Sequence, residues 1–350
     1  MLAVLFGAGA SFDGFPTFPI GARDMSDRRM PLANELFDNR PEFEVVRERF
    51  RACLPLIPYL QNRSDGRSVE QVLEKFEVEA NQGGERGNRF KRQLVALKFY
   101  LQTIISDSEA ASVALAHGVT NHLTLIDLIE KNRPKDEPVL LITFNYDCLI
   151  EKALEDEVNY SFRTSEDYVR RPEYKLFKLH GSTNWGHEIT LMPARTFRGR
   201  TDREMNELIR VANEIEYSRD LEIVDAIPAF NKGAVRLFPA ITVPAERKTL
   251  FSCPETHINV LKSLLPKVTK LLIIGWRGAE EHFLKIAGPL LGSEGAAALK
   301  VGIVSATRES CSDPEVALAR VLERDRAWEY FPDGFTKFVV TRAAESFIKS

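Results

Sequence analysis

Three short polar motifs contain the residue types that could do chemistry in this 350-residue chain. The first is Gly-Ala-Gly-Ala-Ser at residues 7–11, where glycines allow close approach to a phosphate and the serine adds a hydroxyl. The second is Thr-Phe-Asn-Tyr-Asp at 143–147, which offers the amide of Asn145 and the carboxylate of Asp147. The third is His180 followed by Gly181, and a histidine can accept a proton near neutral pH.

Each motif follows an apolar run that is typical of a strand, at residues 2–6, 138–142 and 176–179. Ligands of open α/β sheets bind at the carboxyl ends of the strands, so the three motifs are expected to meet at one edge. Structural roles are the alternative for each. A glycine-rich turn packs a helix on a strand, Asn145 and Asp147 can cap a helix at 148–154, and a single histidine is often held under a loop.

The fold class predicted from the pattern is α/β, with a Rossmann-like parallel sheet flanked by helices. Its strands are continuous apolar runs rather than alternating ones, which favours burial on both faces. The predicted strands are 2–6, 139–144, 176–179, 235–238, 271–274, 301–304 and 338–340.

Helical periodicity fills the long interval between the first two strands, and a second helical block is predicted at 202–219. We therefore expect a Rossmann-like domain made of residues 1–24 and 132–350, interrupted by a mostly helical insertion at 25–131.

Composition excludes several function classes. Apolar residues make up 44% and charged residues 28%, as in ordinary globular proteins, and the formal net charge is −3. Direct nucleic-acid binding is therefore not expected, and neither is a membrane span, because no apolar run approaches about 20 residues. The four cysteines form no close pair, so we expect no metal site and no disulfide framework, and a cytoplasmic location.

Taken together, and in this order, the motifs resemble those of the sirtuin family. Residues 7–11 match its G-A-G-x-S, residues 143–147 its T-Q-N-x-D, and residues 180–181 its H-G pair. Residues 273–276 are similar to its later glycine turn, and residues 304–305 to its ribose-side strand end. The resemblance extends over residues 1–305 and implies a site for NAD.

The resemblance also implies roles for individual residues. Asn145 would order the nicotinamide ribose and an attacking water, Asp147 would hold the nicotinamide carboxamide, and His180 would accept a proton. The residues implied in NAD binding are Gly7, Ala8, Gly9, Ser11, Asn145, Asp147, Gly275 and Ser305.

The sequence differs from the deacylating sirtuins in three features. Deacylating sirtuins carry paired zinc cysteines that this chain lacks, Phe144 replaces their glutamine, and the segment 25–131 replaces a short loop and module. These features are similar to bacterial sirtuin-like effectors of anti-phage defence. They imply an NAD glycohydrolase that releases ADP-ribose and nicotinamide without a metal. Activation would come from homo-oligomerisation or from a partner such as a HerA-type ATPase or a short Argonaute.

Two alternatives remain open from the sequence. One is an NAD-dependent protein deacylase, and the other is a non-catalytic sensor of NAD or ADP-ribose.

Overall fold

The computed structural model describes residues 1–16, 29–62, 69–191, 201–224, 231–232, 235–242, 252–295, 298–322 and 325–350. The predicted start of the insertion, at residue 25, lies outside these residues. The described residues form ten strands, namely β1 (Leu2–Phe6), β2 (Val139–Thr143), β3 (Tyr174–Lys178), β4 (Gly181–Leu191), β5 (Glu216–Ile223), β6 (Asn231–Lys232), β7 (Val235–Ile241), β8 (Lys270–Ile274), β9 (Leu299–Val304) and β10 (Arg326–Phe331).

The α-helices of the same residues are α1 (Ala8–Phe12), α2 (Pro41–Arg49), α3 (Ile57–Gln61), α4 (Val69–Asn81), α5 (Gly84–Leu115), α6 (Asn121–Asn132), α7 (Leu149–Val158), α8 (Asp167–Arg170), α9 (Thr201–Arg210), α10 (Glu255–Leu264), α11 (Glu281–Ala287), α12 (Ser312–Ala319), α13 (Gly334–Val340) and α14 (Ala343–Lys349). None of these helices combines the length and the apolar character needed to cross a membrane.

A six-stranded sheet in the order β3-β2-β1-β8-β9-β10 confirms the predicted α/β class. All of its neighbouring strands are parallel, and β1 and β2 are buried along their whole length. Strand order reverses between β1 and β8, as it does at the ligand-binding crevice of doubly wound folds. The mostly helical insertion after β1 is also confirmed, because the described residues between β1 and β2 contain helices and turns but no strand.

The register of the sheet brings the predicted motifs into one row. Phe6 pairs with Thr143 and with Ile274, Thr143 pairs with Lys178, and Ile274 pairs with Val304. The residue that follows each of these strand ends therefore lies at the same edge of the sheet. Each such residue either begins one of the predicted motifs or lies next to it.

The chain divides into two compact units, which have other boundaries than the expected domains. One unit consists of Met1–Met30, Glu109–His180 and Cys253–Ser350 and contains the parallel sheet. The other consists of Pro31–Ser108 and Gly181–Ser252 and contains an antiparallel sheet in the order β5-β4-β7-β6. Residues 181–252 thus join most of the helical insertion in the second unit.

Several predicted elements are wrong. Residues 338–340 lie in α13 rather than in a strand, because a three-residue apolar run fits a buried helix face equally well. The helix predicted at 202–219 ends at Arg210, and β5 begins at Glu216. Strands β4 and β10 were not predicted, since one mixes polar with apolar residues and the other is a half-exposed edge strand.

Candidate functional site

The turns that follow β1 and β8 lie directly against each other. The Gly7 N–H donates to the Ile274 carbonyl and the Gly9 N–H donates to the Gly275 carbonyl, both at 3.0 Å. A Cβ at Gly7 would lie 2.5 Å from the Gly275 carbonyl oxygen, and one at Gly9 would lie 2.8 Å from the Gly275 Cα. Glycine is therefore required at both positions because any side chain would push the two turns apart.

The N–H groups of Gly7 and Gly9 are thus bonded to the β8 turn. The glycines in this structure serve the close packing of two strand tips. Ala8 is half-buried at the start of α1.

Asn145, Ser11 and Asp147 form one hydrogen-bonded cluster. The Asn145 side-chain amide donates to the Gly7 carbonyl and to the Ser11 hydroxyl oxygen, both at 2.8 Å. The Ser11 hydroxyl donates to Asp147 Oδ2 at 2.6 Å. Ser11 and Asp147 are buried, while Asn145 is half-buried. The structure thus brings the first two motifs together at the edge where strand order reverses.

His180 lies beside the second motif. The β3 strand ends at Lys178, and the Leu179 N–H donates to the Thr143 carbonyl at 3.0 Å, which keeps the two strand tips level. The centroid of the half-buried His180 ring lies 5.1 Å from that of Phe144 and 6.4 Å from that of Tyr146. Burial lowers the pKa of His180 to about 4, so the ring is neutral at pH 7 and one nitrogen can accept a proton.

Phe144, which departs from the family motif, forms an aromatic wall between the tips of β2 and β8. Its ring stacks on Trp276 at 6.0 Å and meets the edge of Phe283 at 5.4 Å. All three side chains are buried. The site residues therefore border a rigid apolar surface on this side.

Charged residues that the sequence analysis did not select lie beneath the cluster. The Lys178 ammonium is fully buried, pairs with Glu151 at 2.9 Å and donates to the Asp147 carbonyl. Glu109 accepts the Cys148 N–H at 2.8 Å and pairs with Lys152. A single lysine within the apolar run 176–179 was the available signal for Lys178, whereas Glu109 lies in a long helix and carries no local signal.

Gly275 and Ser305 occupy the tips of β8 and β9. Gly275 has φ of +61°, and its N–H donates to the Val304 carbonyl at 3.0 Å. Ser305 donates through its hydroxyl to Ser310 at 2.7 Å. Ser305 is one strand farther from Asn145 than Gly275 is, and no bond among the described residues joins Ser305 to the Asn145 cluster. Arg277, two residues beyond Gly275, is exposed.

Within the described residues, no group of three or more His, Cys, Asp or Glu side chains is arranged to hold a metal ion. The four cysteines form no disulfide and are buried. Burial raises the pKa of Cys253 to about 12, so this thiol is unreactive at neutral pH.

The arrangement supplies an amide, a carboxylate and a neutral imidazole at one sheet edge. An amide and a carboxylate can orient polar parts of a ligand, and the imidazole can accept a proton from it or from water.

Comparison with known proteins places the chain in a family. A family model described as a SIR2-like domain matches residues 139–325, just over half of the chain. A solved structure described as a Sir2 mutant with a p53 peptide and NAD aligns with a TM-score of 0.35 and 12% identity, covering 99% of this chain and 93% of that one. A score this low adds no argument, and a comparison with curated proteins gives no match. On the strength of the family match, the chain belongs to the sirtuin-like (SIR2-like) family.

Proposed function

We propose that this protein binds NAD at the carboxyl edge of the parallel sheet and hydrolyses it to ADP-ribose and nicotinamide. The observation that carries the proposal is the cluster in which Asn145 bonds to Gly7 and Ser11 while Ser11 bonds to Asp147. It joins the motif after β1 to the motif after β2 beside the reversal of strand order, and Gly275 of the β8 turn packs against Gly9. Such a crevice is where doubly wound sheets bind dinucleotides.

Asn145 is suited to orient the nucleophile. Both N–H bonds of its amide are used by Gly7 and Ser11, which leaves the amide oxygen to accept from a ribose hydroxyl or a water. Cleavage of a glycosidic bond passes through an oxocarbenium-like transition state, so a water held on the correct face shares directly in the reaction.

Asp147 and His180 complete the proposed chemistry. Asp147 is a buried carboxylate whose Oδ2 accepts from Ser11, and a carboxylate can accept the N–H groups of the nicotinamide carboxamide. His180 is neutral and would accept a proton from a ribose hydroxyl or from the attacking water. In this proposal Arg277, exposed beside Gly275, adds positive charge near the phosphates.

Water is the proposed acceptor rather than an acylated lysine. Support comes from the sequence, which lacks the paired cysteines of deacylating sirtuins, and from the buried wall of Phe144, Trp276 and Phe283 beside His180. The same departures support a role as an effector of anti-phage defence. We propose that it is activated by oligomerisation or by a partner such as a HerA-type ATPase or a short Argonaute.

The test is product analysis after incubation with NAD, at several protein concentrations and with each candidate partner. We expect ADP-ribose and nicotinamide from the wild type, no product from Asn145→Ala, and a rate lowered by about 10²–10⁴-fold in His180→Ala. His117→Asn is the control, because His117 is exposed with φ of +50° and asparagine tolerates that backbone. Turnover that requires an acylated peptide, or tight NAD binding without turnover, would contradict hydrolysis.

A further inference from the structure

One peptide group beneath the site is held from both sides by buried charged side chains. The carbonyl of the Asp147–Cys148 peptide accepts a hydrogen bond from the Lys178 ammonium, and the N–H of the same peptide donates to Glu109 Oε2 at 2.8 Å. Lys178 is fully buried and Glu109 is 1% exposed. The positive end of this peptide dipole thus faces the carboxylate, and its negative end faces the ammonium. Both charge–dipole interactions are favourable in this orientation.

Each of the two charges has its own buried or half-buried partner. Lys178 pairs with Glu151 at 2.9 Å, and Glu151 accepts from the Tyr168 hydroxyl at 3.2 Å. Glu109 pairs with Lys152. Burial lowers the pKa of Lys178, but the combined attraction of Glu151, Cys148 and Asp147 outweighs burial and leaves the pKa above its usual range.

Burial and the negative charge of Asp147 raise the pKa of Glu109, against the opposing effect of Lys152. Glu109 therefore approaches Asp147 at an electrostatic cost. Buried ion pairs often contribute little to stability compared with apolar residues of similar size, so stability alone does not account for the buried Lys178–Glu151 pair at this peptide.

We propose that Lys178 and Glu109 are positioning residues that fix the Asp147–Cys148 peptide and, through it, the Asp147 carboxylate that Ser11 reaches. This rests on the proposed function, in which Asp147 contacts the nicotinamide end of NAD. Rotation of that peptide changes the backbone torsion of Asp147 itself and would draw its carboxylate away from Ser11. The three strand ends and α5 are thereby coupled at a single backbone unit.

The decisive experiment compares two double variants that differ in one oxygen acceptor. Glu109→Gln with Lys152→Met, and Glu109→Leu with Lys152→Met, both remove the ion pair without leaving an unpaired charge. Only the glutamine keeps an oxygen for the Cys148 N–H. We expect kcat/KM of the leucine variant to be about tenfold lower than that of the glutamine variant. The two variants are expected to unfold at the same thermal midpoint. Equal kcat/KM in the two would overturn the proposal.

A second measurement does not depend on catalysis. Hydrogen exchange of the Cys148 amide should be slow in the wild type and in the glutamine variant, and clearly faster in the leucine variant. The double variant Lys178→Met, Glu151→Gln should also show faster hydrogen exchange of the Cys148 amide. If the wild type cleaves no NAD, the proposed function fails, while exchange still tests the positioning. Equal protection of Cys148 in all variants would contradict the positioning whatever the activity.

Discussion

Partial burial of the His180 ring beside Phe144 and Tyr146 determines its protonation state. Loss of hydration disfavours the imidazolium ion, which lowers the pKa to about 4. The neutral ring required of a proton acceptor is therefore the dominant form across the whole physiological pH range. An ordinary histidine with a pKa near 6.5 would lose that form under mildly acidic conditions.

The pH profile of the proposed NAD cleavage follows from this shift. We expect kcat/KM to show no fall attributable to His180 between pH 8 and about 5, and a fall below that as the ring becomes protonated. Rates measured from pH 4.5 to 8.5 test it, together with an NMR titration of the His180 ring. His180→Ala provides the background profile. A midpoint near 6.5 in both measurements would show that the ring is not desolvated.

At the scale of elements, the contact between the β8 turn and α1 depends on Gly275. A Cβ there would lie 2.3 Å from the Ala10 nitrogen and 2.4 Å from the Gly9 carbonyl carbon, and φ is +61°. Both neighbours are backbone atoms, which cannot rotate away as a side chain would. The two turns must therefore separate if the glycine is replaced.

We expect Gly275→Ala to lower the free energy of unfolding by about 3 kcal/mol or more and to weaken NAD binding. Gly118→Ala is the matched control, because Gly118 has φ of +80° but nothing within 4 Å of a Cβ. It carries only the backbone strain, about 1 kcal/mol, and should leave binding unchanged. Urea unfolding and calorimetric titration with NAD measure both effects. Equal losses in the two variants would mean that the turns do not need this close contact.

The parallel strands β1, β2, β3, β8 and β9 could be predicted because they are buried and read as unbroken apolar runs, whereas the half-exposed edge strand β10 was missed. In the antiparallel sheet, β7 was predicted in part at 235–238, whereas β4, β5 and β6 were missed because polar or charged residues interrupt them. Strand β5 contains Glu216, Arg219 and Asp220, and a charged stretch after a helical segment has no apolar periodicity to mark the change. The candidate site residues were likewise predictable only where they follow an apolar strand. Asn145, Asp147 and His180 lie at predicted strand ends, whereas Glu109 reaches the site from within α5, where only tertiary packing reveals it.

For the whole molecule, burial of neutral histidine makes stability depend on pH. His122 is buried between Phe6 and Phe335, with ring centroids 5.6 and 5.3 Å away. Burial lowers its pKa to about 4, against a weaker opposing attraction from Asp147. Below pH 6.5 His122 binds a proton in the unfolded chain but stays neutral in the folded chain. The free energy of unfolding therefore falls as the pH drops from about 6.5 towards 4.

We expect His122 to contribute a loss of about 2 kcal/mol in the free energy of unfolding between pH 7.5 and pH 5. His122→Leu should reduce the pH dependence by that amount, because leucine binds no proton in either state. Urea unfolding at several pH values, in wild type and variant, gives the difference directly, and shifts common to both cancel. Parallel curves would show that the pKa of His122 is the same in the folded and unfolded protein.

The central position of β1 also constrains how the protein can be made. Its two neighbours in the sheet begin at residues 139 and 270, so an emerging chain must carry β1 without its second neighbour, β8, through most of translation. Pairings this distant in sequence form slowly, and an apolar strand without neighbours is a target for chaperones. Because Gly275 of the β8 turn packs against Gly9, the proposed NAD site is complete only after β8 has left the ribosome.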